Sequence, residues 1–179
     1  LETQVWDYNY RKENSLSPNP VTGIREDKEG NLWVGTIEGG LNKKAKDTDE
    51  FIHFTFDRTK ETSISTNSIN GLMIDSDNHL WAYTWGTGIN ELDLNIPNNQ
   101  RFIRHIREDS LGLEGDFLSC ACEDPLNNGI WFGTTRGLHF YNKTNKHFTR
   151  VLFDQSDNEF EGNSSLLIDK QNRLWWGTS

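Results

Sequence analysis

Trp85 is the side chain best suited to hold a ligand. It follows Tyr83, and Gly86 and Thr87 come after it, so an aromatic ring stands among small and polar groups on a bend. Such a ring can stack on the apolar face of a sugar while polar neighbours bond the hydroxyls. Arg136 and Glu38 occupy matching bends elsewhere, and Asn67 lies in a connecting turn. Trp85, Tyr83, Arg136, Glu38 and Asn67 are therefore the candidate ligand-binding residues. Asn67 also suits a structural role, shared with Asn19 and Asn163, of holding the turn between repeats.

Other chemistries fit less well. His53, His79, His105, His139 and His147 are spread over outer strands, turns and a third strand. Acid–base catalysis needs such groups to converge, so no catalytic residue is assigned. Cys120 and Cys122 are two apart on one strand face, where a disulfide between them is poorly shaped. The acidic turns at 27–31 and 75–79 lack the ligand count and terminal Glu of a calcium loop. No metal and no cofactor is expected. A net charge of −9 argues against contact with nucleic acid. Lys43, Lys44 and Lys46 precede Asp47, Asp49 and Glu50 and read as a solvated hairpin. No apolar run reaches the length that spans a bilayer, so this segment inserts in no membrane.

The elements that must position these residues come from a repeat. The phrases NLWVGT (31–36), HLWAYT (79–84), GIWFGT (129–134) and RLWWGT (173–178) place Trp33, Trp81, Trp131 and Trp175 at intervals of 48, 50 and 44 residues. Each copy opens with an apolar strand ending in Asp and turns through polar residues at 28–31, 76–79, 125–129 or 170–173. The Trp strand follows, then a Gly bend and a third strand. A fourth strand carries aromatic residues. Four short antiparallel strands per repeat of this length define a propeller blade. The fold class is all-β, a partial β-propeller.

The domain is one unit over 1–179, with blades near 17–62, 63–114 and 115–161 and partial blades at 1–16 and 162–179. In this alignment Val5 to Tyr8 fall where a fourth strand is expected. The four Trp residues form the structural repeat core and should be buried wherever a neighbouring blade covers them. An open arc leaves two faces without partners, so self-association or packing on further blades is expected.

These residues together resemble the two-component regulator propeller repeat. The resemblance rests on the strand-ending Asp, the phrase GNLWVGT at 30–36, Gly39-Gly-Leu-Asn42, Phe51-Ile-His-Phe54 and Ser15-Leu-Ser-Pro-Asn19. It covers essentially the whole chain. Tyr83 in place of the repeat glycine, Thr87-Gly88 and the shortened bend at Arg136 depart from it. It implies a seven-bladed propeller in the periplasmic, extracytoplasmic sensor region of a hybrid two-component histidine kinase, responsive to oligosaccharides. The segment itself is then not an enzyme. The alternatives are a propeller enzyme of the streptogramin-lyase or lactonase-like type and a protein-binding scaffold.

Overall fold

In each repeat the Asp that ends the first strand organises the turn after it. A computed structural model describes residues 3, 5–105, 111–115, 117–151 and 165–177. The backbone amide of Asp27 donates to the carbonyl of Asn31, and the same bond recurs from Asp75 to His79 and from Asp169 to Arg173, each 3.0 Å. Gly30, Asn78, Asn128 and Asn172 take the positive φ that these tight turns require. One carboxylate oxygen caps the turn amides, as where Asp75 Oδ1 accepts from His79 N at 2.8 Å. The other oxygen accepts the Trp indole of the second strand. These indole bonds are 2.9 Å for Trp33–Asp27, 3.0 Å for Trp81–Asp75, 3.0 Å for Trp131–Asp124 and 2.8 Å for Trp175–Asp169.

Among the described residues the result is three antiparallel sheets of four strands and one pair. The first blade is β1 (Val21–Glu26), β2 (Leu32–Thr36), β3 (Gly40–Lys44) and β4 (Phe51–Phe54). The second is β5 (Ile69–Ile74), β6 (His79–Thr84), β7 (Ile89–Asp93) and β8 (Ile103–His105). The third is β9 (Leu118–Asp124), β10 (Gly129–Thr134), β11 (Gly137–Asn142) and β12 (His147–Val151). The pair is β13 (Ser165–Ile168) and β14 (Leu174–Gly177). The first strands of successive sheets lie side by side, β1 on β5, β5 on β9 and β9 on β13. They form the inner wall of an arc. Side chains stitch this wall: Thr22 Oγ1 donates to the Ile69 carbonyl at 2.7 Å, and Asn70 Nδ2 to the Leu118 carbonyl at 2.5 Å.

The core lies between blades. Trp33, Leu41, Ile64, Ile69, Leu72, Leu80, Leu92 and Phe102 fill the first seam, and Trp81, Ile89, Leu113, Ile130, Phe132, Tyr141 and Phe148 belong to the second. Burial of the repeated Trp follows the neighbours. Trp33 and Trp81 are 1% exposed, Trp131 is half-buried, and Trp175 is 55% exposed. At the far end of β2, β6 and β10 the hydroxyls of Thr36, Thr84 and Thr134 donate to the carbonyls of Gly40, Gly88 and Gly137. Those glycines have φ of 75°, 77° and 100°, a region that side chains avoid.

Two departures from the repeat have physical causes. A Cβ at Gly35 would meet Ile69 Cγ2 at 2.7 Å, so the next blade leaves no room there. At the matching position Tyr83 is accommodated because its ring lies over Gly71, its partner across the ladder.

Two expectations are corrected. Val5 to Tyr8 form no strand, because among the described residues no strand lies beside them to pair with. Trp6 instead covers Lys44, whose Nζ sits 4.9 Å from its ring centroid. The basic run is accordingly not all solvated: Lys44 is buried, and Lys43 lies over Trp33 at 5.2 Å. Asp116, Asn163, Ser164 and Thr178 lie outside the described residues.

Asp75→Ala strips the indole, the turn amide and Lys143 of one buried acceptor. Chemical denaturation should show a loss of about 2–4 kcal/mol. Asp169→Ala, in the exposed pair, should cost far less. Equal losses would show that the repeated bond does not draw its worth from burial.

Candidate functional site

The Gly bends and the segments that enter each blade meet at one end of the arc. Ile37 N donates to the Pro20 carbonyl at 3.1 Å and Gly40 N to the Asn67 carbonyl at 2.8 Å. In the third blade Thr135 N donates to the Phe117 carbonyl at 3.2 Å. Trp85 pairs with Phe117 in an isolated antiparallel bridge that spans the seam between the second and third blades. Their rings meet edge to face, with centroids 6.2 Å apart and planes at 82°. Trp85 is 65% exposed and Phe117 44%. Beside them is a cleft of about 130 Å³, also lined by Asn70, Leu118, Ser119 and Thr135. An exposed aromatic edge over hydroxyl and amide groups can stack on a ring and bond its substituents.

The five candidate residues divide. Trp85 forms the cleft wall. Arg136 follows Thr135 in the same bend; its amide donates to Thr134 Oγ1 at 2.9 Å and its carbonyl accepts from Arg150 Nε at 2.7 Å. Glu38 is exposed on the bend of the first blade at a φ of 64°. Tyr83 is 8% exposed and packs in the second seam, where burial raises its phenol. Asn67 is occupied as a joint, since its side-chain oxygen accepts from Phe56 N at 2.6 Å. Sequence reasoning missed Phe117. The available signal is that an aromatic residue stands where the other blades carry Pro20 and Ser68.

At the opposite end of the second seam is a charged cluster. Glu91 accepts from His105 Nε2 at 2.8 Å and is bonded to His79 Nδ1 at 2.7 Å. Burial works to raise the Glu91 carboxyl, but the two imidazoles outweigh it and hold the group at about 2. The bond to Glu91 raises His79 despite partial burial. From the third blade, Lys143 Nζ reaches Asp75 at 3.1 Å, Asp77 at 2.9 Å and Glu123 at 2.6 Å. Burial opposes its charge, yet the three carboxylates carry it above the ordinary lysine range. His139 stands where Asn42 and Asn90 stand in the other blades; burial lowers it to about 4 and keeps it neutral at pH 7. None of the five histidines lies on an inner strand. Among the described residues no group of His, Cys, Asp or Glu is shaped to hold a metal.

The comparisons with known proteins agree with this architecture. A family model described as two component regulator propeller matches residues 15–38. These residues run from the entry segment of the first blade to Glu38 in its bend. The extracellular domain of a protein of Bacteroides thetaiotaomicron described as a hybrid two component system superposes with a TM-score of 0.74 at 23% identity over 98% of this chain. A second extracellular domain from that organism, described as a one component system, gives 0.73 at 26% identity over 97%. The chain spans only 21% and 24% of those two proteins. Virginiamycin B lyase of Staphylococcus aureus gives 0.63 at 15% identity, over 88% of this chain and 48% of the lyase, a likeness of fold alone. No curated protein sequence matches the chain.

The polar seam predicts a pH dependence. His79 is raised in the folded state, so its contribution is fully present below the ordinary value of 6.5 and is lost as pH rises through the higher folded value. The melting temperature should therefore fall between pH 6 and pH 9, and His79→Gln should flatten that decline. An identical profile in the variant would place the titration elsewhere.

Proposed function

We propose that this chain contributes blades to the ligand-sensing propeller of a hybrid two-component sensor. Its working surface on this reading is the Trp85–Phe117 cleft, and its ligand is an oligosaccharide. The observation that carries the reading is a large aromatic side chain left 65% exposed at the loop end of a seam, in a position that the other blades do not make aromatic. The family match at 15–38 and the likeness to extracellular domains of two component proteins support a sensor role and an extracytoplasmic place. No helix among the described residues is long and apolar enough to cross a membrane. The scatter of the histidines away from the inner strands supports binding without catalysis by this segment.

Binding at a seam gives sensing a physical route. A sugar ring stacked on Trp85 and bonded near Arg136 touches two blades at once. It favours whichever blade spacing makes both contacts good, and that differential affinity is what shifts an equilibrium.

The double variant Trp85→Ala, Arg136→Ala should lose at least about tenfold in affinity on a glycan array and by calorimetry. Its melting temperature should stay within about 2 °C of the parent, since neither side chain belongs to the core. Unchanged affinity would remove these two residues from the site.

The outward faces of the arc bear on its partners. Val21, Ile24 and Ile52 are exposed on the first blade, and Leu167 and Trp175 on the last pair. Bare strand faces of this kind recruit neighbours. On this reading further blades or a second copy cover them. Light scattering of the isolated chain at micromolar concentration should show association; a monodisperse monomer would contradict it.

A further inference from the structure

We propose that the charged end of the second seam is a binding site for a small organic ammonium compound. The inference does not depend on the sugar cleft, which lies at the other end of the same seam.

The site is a cavity of about 220 Å³ whose lining includes Asp75, Asp77, His79, Glu91, Tyr141 and Lys143. That is room for roughly seven waters at about 30 Å³ each. Two blades build it, so its shape depends on their packing. Tyr141 is 2% exposed, and its hydroxyl makes no hydrogen bond among the described residues although it opens on the cavity. A buried phenol normally finds a partner. Here the oxygen is open to the solvent of the cavity. The ring is fixed from behind by His105 at 5.6 Å, Phe148 at 4.7 Å and Trp81 at 5.0 Å between centroids. The hydroxyl is therefore held in place rather than free to swing.

Charge decides the class of occupant. Asp75, Asp77, Glu91, Asp93 and Glu123 contribute five carboxylates around the cavity. Lys143, Lys146, His79, His105 and Lys28, which acts on Asp77, are at most five cations, so the carboxylates are in excess once His79 is neutral. The seam already holds one ammonium: Lys143 is shared by three of these carboxylates and is only 11% exposed. A second ammonium would find similar acceptors. Each Glu91 oxygen bonds one histidine and keeps further acceptor capacity, Asp77 is open to solvent on one side, and the Tyr141 oxygen can accept. The adjoining Trp81 and Tyr141 rings favour a cation over an anion.

The proton is a competitor. Charged His79 faces Glu91 at 2.7 Å and Asp93 at 3.7 Å from its own blade, with Asp75 and Asp77 in the turn below it. Across the seam it faces Tyr141, Lys143 and Lys146, and His105 touches it through Glu91. Deprotonation of His79 frees carboxylate charge for a ligand, so affinity should rise from pH 6 to pH 8.

Ethanolamine and ethylene glycol separate charge from shape, because they match in size and differ in the ammonium. Titrated into the intact protein by NMR, ethanolamine and methylammonium should bind saturably in the millimolar range, about 1–10 mM, while ethylene glycol should not. Binding should be tighter at pH 8. Tyr141→Phe should weaken it about tenfold with an unchanged melting temperature, since the hydroxyl bonds nothing in the fold. Equal binding of ethylene glycol, no saturation by either amine, or undiminished binding by Tyr141→Phe would each overturn the proposal.

Discussion

One carboxylate holds each blade to its own first turn. In every copy the Asp closing the inner strand accepts backbone amides of the hairpin on one oxygen and the Trp indole on the other. The bond matters because of what the indole does next. With its N–H satisfied, the ring is free to pack against the following blade as apolar bulk. A buried indole without that acceptor would carry an unpaired donor into the seam. The same carboxylate therefore sets turn geometry, strand register and the quality of the interface. The cost of burying the charge is met by several donors at once, which is why Asp27 and Asp124 are lowered even though burial acts to raise them.

This arrangement explains why so much of the fold was legible. The Trp period, the strand-ending Asp and the turn residues each answer a local geometric demand, so they recur as letters. The indole–carboxylate bond itself was not read, although both partners were in view at a separation of six or seven residues. The hidden features belong to contacts between residues far apart in the chain. Nothing near Lys143 announces that Asp75 of another blade awaits it. Lys44 looked solvated because its cover, Trp6, lies in a segment that forms no strand. Tyr83 stood out as a departure from the pattern, and only its partner Gly71 shows that the departure serves packing.

The candidate site was legible by a different route. Trp85 was conspicuous because it broke the repeat, and the structure leaves it exposed as a free wall of a cleft. Phe117 broke the repeat as well, but one residue before a strand an aromatic looks like core. Asn67 was not legible in the same way: a polar residue in a loop suits a joint or a ligand equally well, and its side-chain oxygen is bonded to the Phe56 amide. The two seams also differ. The first is filled by aliphatic and aromatic side chains, with the Thr22 hydroxyl bonded across it. The second carries an aromatic cleft at one end and an ionic cavity at the other, which makes it the interface with most to gain or lose from small shifts in blade spacing.

The graded burial of the four indoles makes the arc its own gauge. Trp33 and Trp81 are dry, Trp131 is intermediate and Trp175 is wet, in chain order, because each ring waits for the blade after it. Indole emission moves to shorter wavelength when water leaves the ring. Any neighbour that docks on the β13–β14 face dries Trp175, and any loosening of the second seam wets Trp81. Assembly at the edge and opening in the middle would thus shift the protein's own light in opposite directions, without a label.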